Sequence, residues 1–345
     1  MENAKKFFKE FGMRFFLGTL IVFASQILTS MIATAICNAM GIDLSDNMVA
    51  QLLVALVPMY LVGMPLLALL VSKIPVEAPT IEDKRMHAGH IIKAFVVTYG
   101  LVMASNLVGT YLGVFIESLV HGAQASTNQI QTIAIEGNMA FNAVYMILFA
   151  PVYEEFIFRK LIVDRVSRYG QGVAVVVSGL MFGLFHANLT QFVYAFVMGA
   201  FMAYIYSKTG KIHYTIILHM IVNLFGSVFS VLAIRQIDLN EYLEIASSGD
   251  MAALMQYAQE NAAGFAVYGM YMMFVGIIAI VGIILFIVAL AKKQFYFLPG
   301  ETQIPAGQRF KTVMGNPGMI LFLVLFVLMI LGTMFMPALT GGAMG

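Results

Sequence analysis

Two glutamates, an arginine, two histidines and an asparagine interrupt a stretch, Met139 to Asn223, that is otherwise apolar enough to be membrane. They occur as Glu154, Glu155 and Arg159 in Pro151-Val-Tyr-Glu-Glu-Phe-Ile-Phe-Arg-Lys160, as His186 in Phe182-Gly-Leu-Phe-His-Ala-Asn188, and as His219 and Asn223 in His-Met-Ile-Val-Asn. An ionisable side chain at the centre of a bilayer costs about 2.5–3.5 kcal/mol on insertion scales unless it meets a partner or a water-filled cavity. A polar site between helices is therefore expected. The residue types fit the needs of amide hydrolysis: a carboxylate to take a proton from water, an imidazole to help hold that water, and N–H donors aimed at a developing oxyanion.

Spacing organises the set. Tyr169-Gly-Gln-Gly172 reads as a helix stop and tight reversal. Two antiparallel helices leaving that turn rise equally, so position i on one faces roughly position 340 − i on the other, and Glu154 falls opposite His186, each about 24 Å from the turn. Glu155 and Arg159 are four apart with the acid N-terminal, the arrangement that pairs on one helix face, and are expected to support the site as an ion pair. His219 and Asn223 repeat the four-residue spacing and project from one face, and both can donate to an oxygen.

The elements that must hold these groups follow from composition. Of 345 residues, 61% are hydrophobic and 11% charged, outside soluble usage and typical of a polytopic membrane protein. Apolar runs long enough to span lie near 15–37, 51–72, 93–118, 139–159, 172–188, 190–207, 212–234, 265–291 and 318–337. The expected architecture is an all-α transmembrane bundle of about nine spans, with residues 1–138 as spans one to three, 139–234 as a core of four helices, and 235–345 as an external loop and two final spans. Every lysine and arginine except Arg235 falls before span one or after spans two, four, six or eight. By the positive-inside rule the N-terminus of this integral membrane protein is expected to be cytoplasmic. Asp43, Asp46 and the acidic series Asp238, Glu241, Glu244, Asp250 and Glu260 then lie in external loops.

The remaining features exclude more than they add. A net charge of +1 with no long basic stripe argues against nucleic acid. The single cysteine, Cys37, rules out an internal disulfide framework. Residues 1–12 pair lysines with phenylalanines and read as a positive anchor beside the first span, while 300–315 read as an irregular connection. His87, His90, His121 and His213 fall in connections or at a membrane edge and are expected to be solvated.

Together, Glu-Glu-x-x-x-Arg at 154–159, Phe-x-x-x-His at 182–186 and His-x-x-x-Asn at 219–223 resemble the CPBP family of intramembrane proteases. That family groups type II CaaX prenyl endopeptidases with the bacterial Abi proteins tied to bacteriocin processing and self-immunity. The resemblance covers about residues 139–225. It implies that Glu154 activates a water, that His186 helps hold it, that His219 and Asn223 stabilise the oxyanion, and that Glu155 and Arg159 support them. It also implies a membrane-associated protein or peptide precursor as substrate. The family's metalloprotease label allows a zinc ion on Glu154, His186 and His219; asparagine is a poor zinc ligand and a metal-free arrangement uses the same residues, so both remain open, with the metal-free form preferred. A proton-coupled transporter would use similar carboxylates but should show internal repeats, which are absent. A non-catalytic scaffold or immunity protein would not require the polar set.

Overall fold

The computed structural model describes residues 1–42, 50, 54, 56–121 and 144–341. Asp43, Asp46, the start of the expected fourth span and the boundary at 138/139 lie outside the described residues, as does the side chain of His121. Among the described residues the chain is helical, with no strand. In chain order the helices are α1 (Glu2–Ala39), α2 (Pro58–Ser72), α3 (Ala88–His121), α4 (145–166), α5 (Gln171–Phe185), α6 (Leu189–Thr209), α7 (Ile212–Ile234), α8 (Leu239–Ser248), α9 (Met251–Glu260), α10 (Ala262–Ala291), α11 (Arg309–Val313) and α12 (Pro317–Gly341).

Six of these, α1, α3, α6, α7, α10 and α12, contain segments long and apolar enough to cross a membrane, which makes the chain an integral membrane protein. The expected spans at 51–72 and 172–188 correspond to the shorter apolar helices α2 and α5. At 1.5 Å per residue the 15 residues of α5 reach only about 22 Å, less than a hydrocarbon core of about 30 Å. Its C-terminal end, where His186 stands, therefore lies short of a full crossing, and nine complete spans are not established.

The hairpin of α4 and α5 forms as the sequence predicts. A short 3-10 turn at Ser167–Tyr169 leads into Gly170, whose φ of 110° is open to glycine and strained for other residues. Ser178 Oγ donates to the carbonyl of Phe158 at 2.6 Å, and the rings of Phe158 and Phe182 meet edge-on at 5.3 Å, so the register is close to the one predicted. Helices α5 and α6 then approach closely because both carry glycine at the crossing: a Cβ on Gly179 would stand 2.8 Å from Ala200, and one on Gly199 would stand 2.7 Å from Phe182. Small residues at helix contacts are how membrane helices gain van der Waals packing without a hydrophobic driving force between them.

Connections rich in basic residues gather at one end of the bundle. Gln171 joins them: its side-chain amide donates to the carbonyls of Thr80 and Ser207, while its oxygen accepts from Lys208 Nζ at 2.7 Å and from Leu298 N at 3.0 Å. Lys208 also pairs with Glu82 at 2.7 Å, and Lys84 bonds to both Glu82 and Tyr296. Burial pushes the Glu82 carboxyl up, but hydrogen bonds from Lys208, Lys84 and Tyr296 outweigh that and hold it at about 2. Tyr169 packs on Phe7 and Phe8. Residues 1–12 are thus not a simple flanking anchor: they open α1, and Phe8 and Phe11 are fully buried.

At the other end, the expected external loop is largely helical. Asp238 caps α8 by accepting from the N–H groups of Asn240 and Glu241, and Asp250 caps α9 by accepting from those of Ala252 and Ala253. Two of the acids read as loop charge are therefore helix start signals.

Candidate active site

The site is built from α2, α4, α5, the start of α6, and α7. Helix α4 is not uniformly α-helical: π-helical segments at Tyr145–Phe149 and Phe156–Leu161 flank the α-helical Ala150–Glu155 that carries both glutamates. Further π segments occupy Pro58–Gly63 of α2 and Leu224–Phe229 of α7. Such insertions are rare and concentrate at functional sites. In this fold they change which side chains share a face.

Glu155 and Arg159 have no solvent exposure and form a two-pronged pair: Arg159 Nε donates to Oε2 at 2.8 Å and Nη2 to Oε1 at 2.9 Å. Two parallel charge-assisted bonds are the strong form of this contact. Arg159 also donates to Ser178 Oγ at 3.1 Å and lies 4.7 Å from the centre of the Phe182 ring. The pair is more than local support, because His219 Nδ1 lies 2.9 Å from Glu155 Oε1. A carboxylate can only accept, so Nδ1 carries the proton and Nε2 is turned toward Glu154 Oε2, 3.7 Å away. That separation exceeds a direct hydrogen bond.

Glu154 keeps 15% side-chain exposure and borders a cavity of about 180 Å³ together with Met59, Tyr60, Tyr145, Phe158, Phe182, Phe185, His186 and Gln191. Glu154 and His186, set opposite each other by the sequence spacing, thus line the same cavity. His186 is the C-cap of α5, and its Nδ1 stands 2.9 Å from the carbonyl of Phe182. The neutral ring must then hold its proton on Nδ1, leaving the lone pair of Nε2 available. Ala187 follows at φ 50° and Asn188 caps α6, bonding to the N–H of Gln191. This turn sets Gln191 beside the cavity.

Asn223 shares a face of α7 with His219, as the four-residue spacing predicts, and in the fold that face meets α4. Its Nδ2 donates to the carbonyl of Met146 at 2.7 Å, which leaves one further amide hydrogen. Tyr60, Tyr145 and Gln191 were not singled out from the sequence. Nothing in their spacing distinguishes them from packing residues. His87, His90 and His213 are exposed, as expected, although His90 and His213 lie in the first turns of α3 and α7 rather than in connections.

The zinc set does not assemble. Among the described residues no three His, Cys, Asp or Glu side chains converge as a ligand group. Although Glu154 and His219 approach each other, His186 does not complete a three-ligand centre with them. The residues as positioned do not fit such a centre, and no step below runs through a metal.

Fold and site define a polytopic helical membrane protein with a glutamate–histidine constellation, part buried and part lining a small cavity. Residues 136–225 match the family described as type II CAAX prenyl endopeptidase Rce1-like, so the resemblance read from the three motifs holds for the segment that carries them. The chain is 27% identical over 150 residues to the membrane-embedded CAAX protease MroQ of Staphylococcus aureus, covering 41% of this chain and 60% of that one. It is 30% identical over 86 residues to the putative membrane peptidase YdiL of Bacillus subtilis, covering 25% of this chain and 35% of that one. No solved structure matches it.

Proposed function

We propose that the protein is an intramembrane endopeptidase in which Glu154 is the general base. The observation that carries this reading is the cavity shared by Glu154 and His186, with His219 behind Glu154 and anchored by the buried Glu155–Arg159 pair. A water in that cavity can donate one hydrogen to the Glu154 carboxylate and the other to the lone pair of His186 Nε2. Its oxygen attacks the peptide carbonyl carbon as Glu154 takes the proton. The resulting oxyanion is stabilised by Asn223, through the amide hydrogen not given to Met146, and by His219. For His219 to donate from Nε2 while Nδ1 donates to Glu155 it must hold two protons, and the carboxylates on either side supply the countercharge. Collapse breaks the C–N bond, and the proton on Glu154 passes to the leaving amine.

The similarity to proteins named CAAX protease favours a membrane-associated peptide or protein substrate, of which a prenylated C-terminal tail is the leading example. The residues assigned to this chemistry all lie within 139–234, and of the flanking membrane segments 1–138 and 235–345 the first adds Met59 and Tyr60 to the cavity wall. The distribution of lysine and arginine favours a cytoplasmic N-terminus.

The test is Glu154→Gln, which keeps size and hydrogen bonding but removes the base. Cleavage should fall by about 10²–10⁴-fold, the usual worth of general-base help. Comparing peptide termini in membranes containing wild-type or Glu154→Gln protein by mass spectrometry would also reveal the substrate. Equal cleavage by well-folded Glu154→Gln protein sinks the assignment.

A further inference from the structure

The cavity holds two hydroxyl groups for which the mechanism above has no use. Tyr60, on α2, and Tyr145, on α4, both line it, and their oxygens are 3.0 Å apart. Tyr60 is 3% exposed, and its ring packs against Tyr145 at 5.4 Å and Tyr153 at 5.5 Å. Among the described residues neither hydroxyl has another hydrogen-bond partner. Two hydroxyls contain two O–H hydrogens, and their mutual bond consumes one. The other must be directed elsewhere. In a buried setting an uncommitted donor carries a desolvation cost of about 1–3 kcal/mol, and the cavity bounded by Glu154 and His186 is the polar space available to it.

Backbone geometry makes the arrangement specific. Tyr145 and Glu154 are nine residues apart, about two and a half α-helical turns, so uniform α-helix would put them on opposite faces. The π segment Tyr145–Phe149 turns less per residue and brings Tyr145 round toward the side of Glu154. Tyr60 also lies in a π segment, and Asn223 bonds to the carbonyl of Met146, the residue after Tyr145.

We infer that Tyr60 and Tyr145 form a two-hydroxyl donor relay that hydrogen-bonds the oxygen of the scissile carbonyl, one tyrosine donating to substrate while the other donates to it. This rests on the peptidase reading above. The relay adds a neutral donor to the oxyanion site, and its bond shortens as charge develops on the oxygen. No proton is transferred by it.

The test uses full-length protein in proteoliposomes and an internally quenched farnesylated peptide ending in Cys-aliphatic-aliphatic-X. Wild type, Glu154→Gln, Tyr60→Phe, Tyr145→Phe and the double phenylalanine variant are compared. Phenylalanine retains both rings, so folding is checked by circular dichroism and unfolding midpoint. One single variant should lose about 10²-fold in kcat with KM little changed, the scale of one oxyanion donor. The other should lose less, and the double should fall no further than the worse single. Wild-type kcat in both singles, losses that multiply in the double, or a change confined to KM or to the unfolding midpoint would overturn the relay while leaving the peptidase reading intact. Absence of any cleavage above Glu154→Gln would overturn that reading, and the relay with it.

Discussion

Breaking the Glu155–Arg159 pair should damage the protein asymmetrically. Glu155 accepts three hydrogen bonds, two from Arg159 and one from His219, at a position with no solvent exposure. Glu155→Leu leaves a buried guanidinium whose remaining partners among the described residues are Ser178 and the face of Phe182. Removing one partner of a buried ion pair costs about 3–5 kcal/mol, because the remaining charge is uncompensated. Arg159→Met should cost less, since Glu155 retains the hydrogen bond from His219 Nδ1. Glu155→Leu with Arg159→Met removes both charges while roughly preserving volume, and should be milder than Glu155→Leu alone. The coupling expected in this double-mutant cycle is at the upper end of the range for contacting residues, about 3 kcal/mol. The chain has no tryptophan, so unfolding in detergent is best followed by the helical circular dichroism band as denaturant is raised. Single losses that simply add in the double variant would refute the pair as the source of the cost. Glu155→Leu should also reduce activity in the surviving folded fraction, because His219 loses the acceptor that orients it.

Other predictions address the oxyanion, the metal and pH. His219→Ala and Asn223→Ala should each cost about 2.7–4 kcal/mol of transition-state stabilisation with substrate binding little altered; an active Asn223→Ala protein would refute the donor role. Strong chelation should leave activity intact, and elemental analysis should find no stoichiometric zinc; one zinc per chain that disappears together with activity in His219→Ala would reverse this assignment. The lowered carboxyl of Glu82 contributes stability above its unfolded value of about 4.3, and that contribution is lost as pH falls from there toward about 2. Acid unfolding curves over this window should be flatter for Glu82→Gln than for wild type, and parallel curves would exclude Glu82 as the titrating group.

Much of this protein was determined by sequence alone because the relevant physics is local or compositional. Hydrophobic content set an all-α membrane fold. The four-residue spacing of Glu155 and Arg159 needs only one helix to make an ion pair, and a glycine reversal at 170 sufficed to bring Glu154 and His186 toward one cavity, because two helices leaving one turn rise at the same rate. The spacing of His219 and Asn223 put both on one face of a helix. Tertiary structure decided what local periodicity does not encode. Phe8 and Phe11 became buried because the α4–α5 turn and α12 pack on the start of α1, and the short reach of α5 depended on where its C-terminal turn folds. His219 joined Glu155 as well as Glu154 only through the approach of α7 to α4. Tyr145 was hidden by the assumption of regular α-helix, which the π segment breaks. Tyr60, 85 residues away in sequence, reaches the cavity only because α2 packs beside α4, a contact fixed by interhelical packing and by no repeat or spacing in the chain.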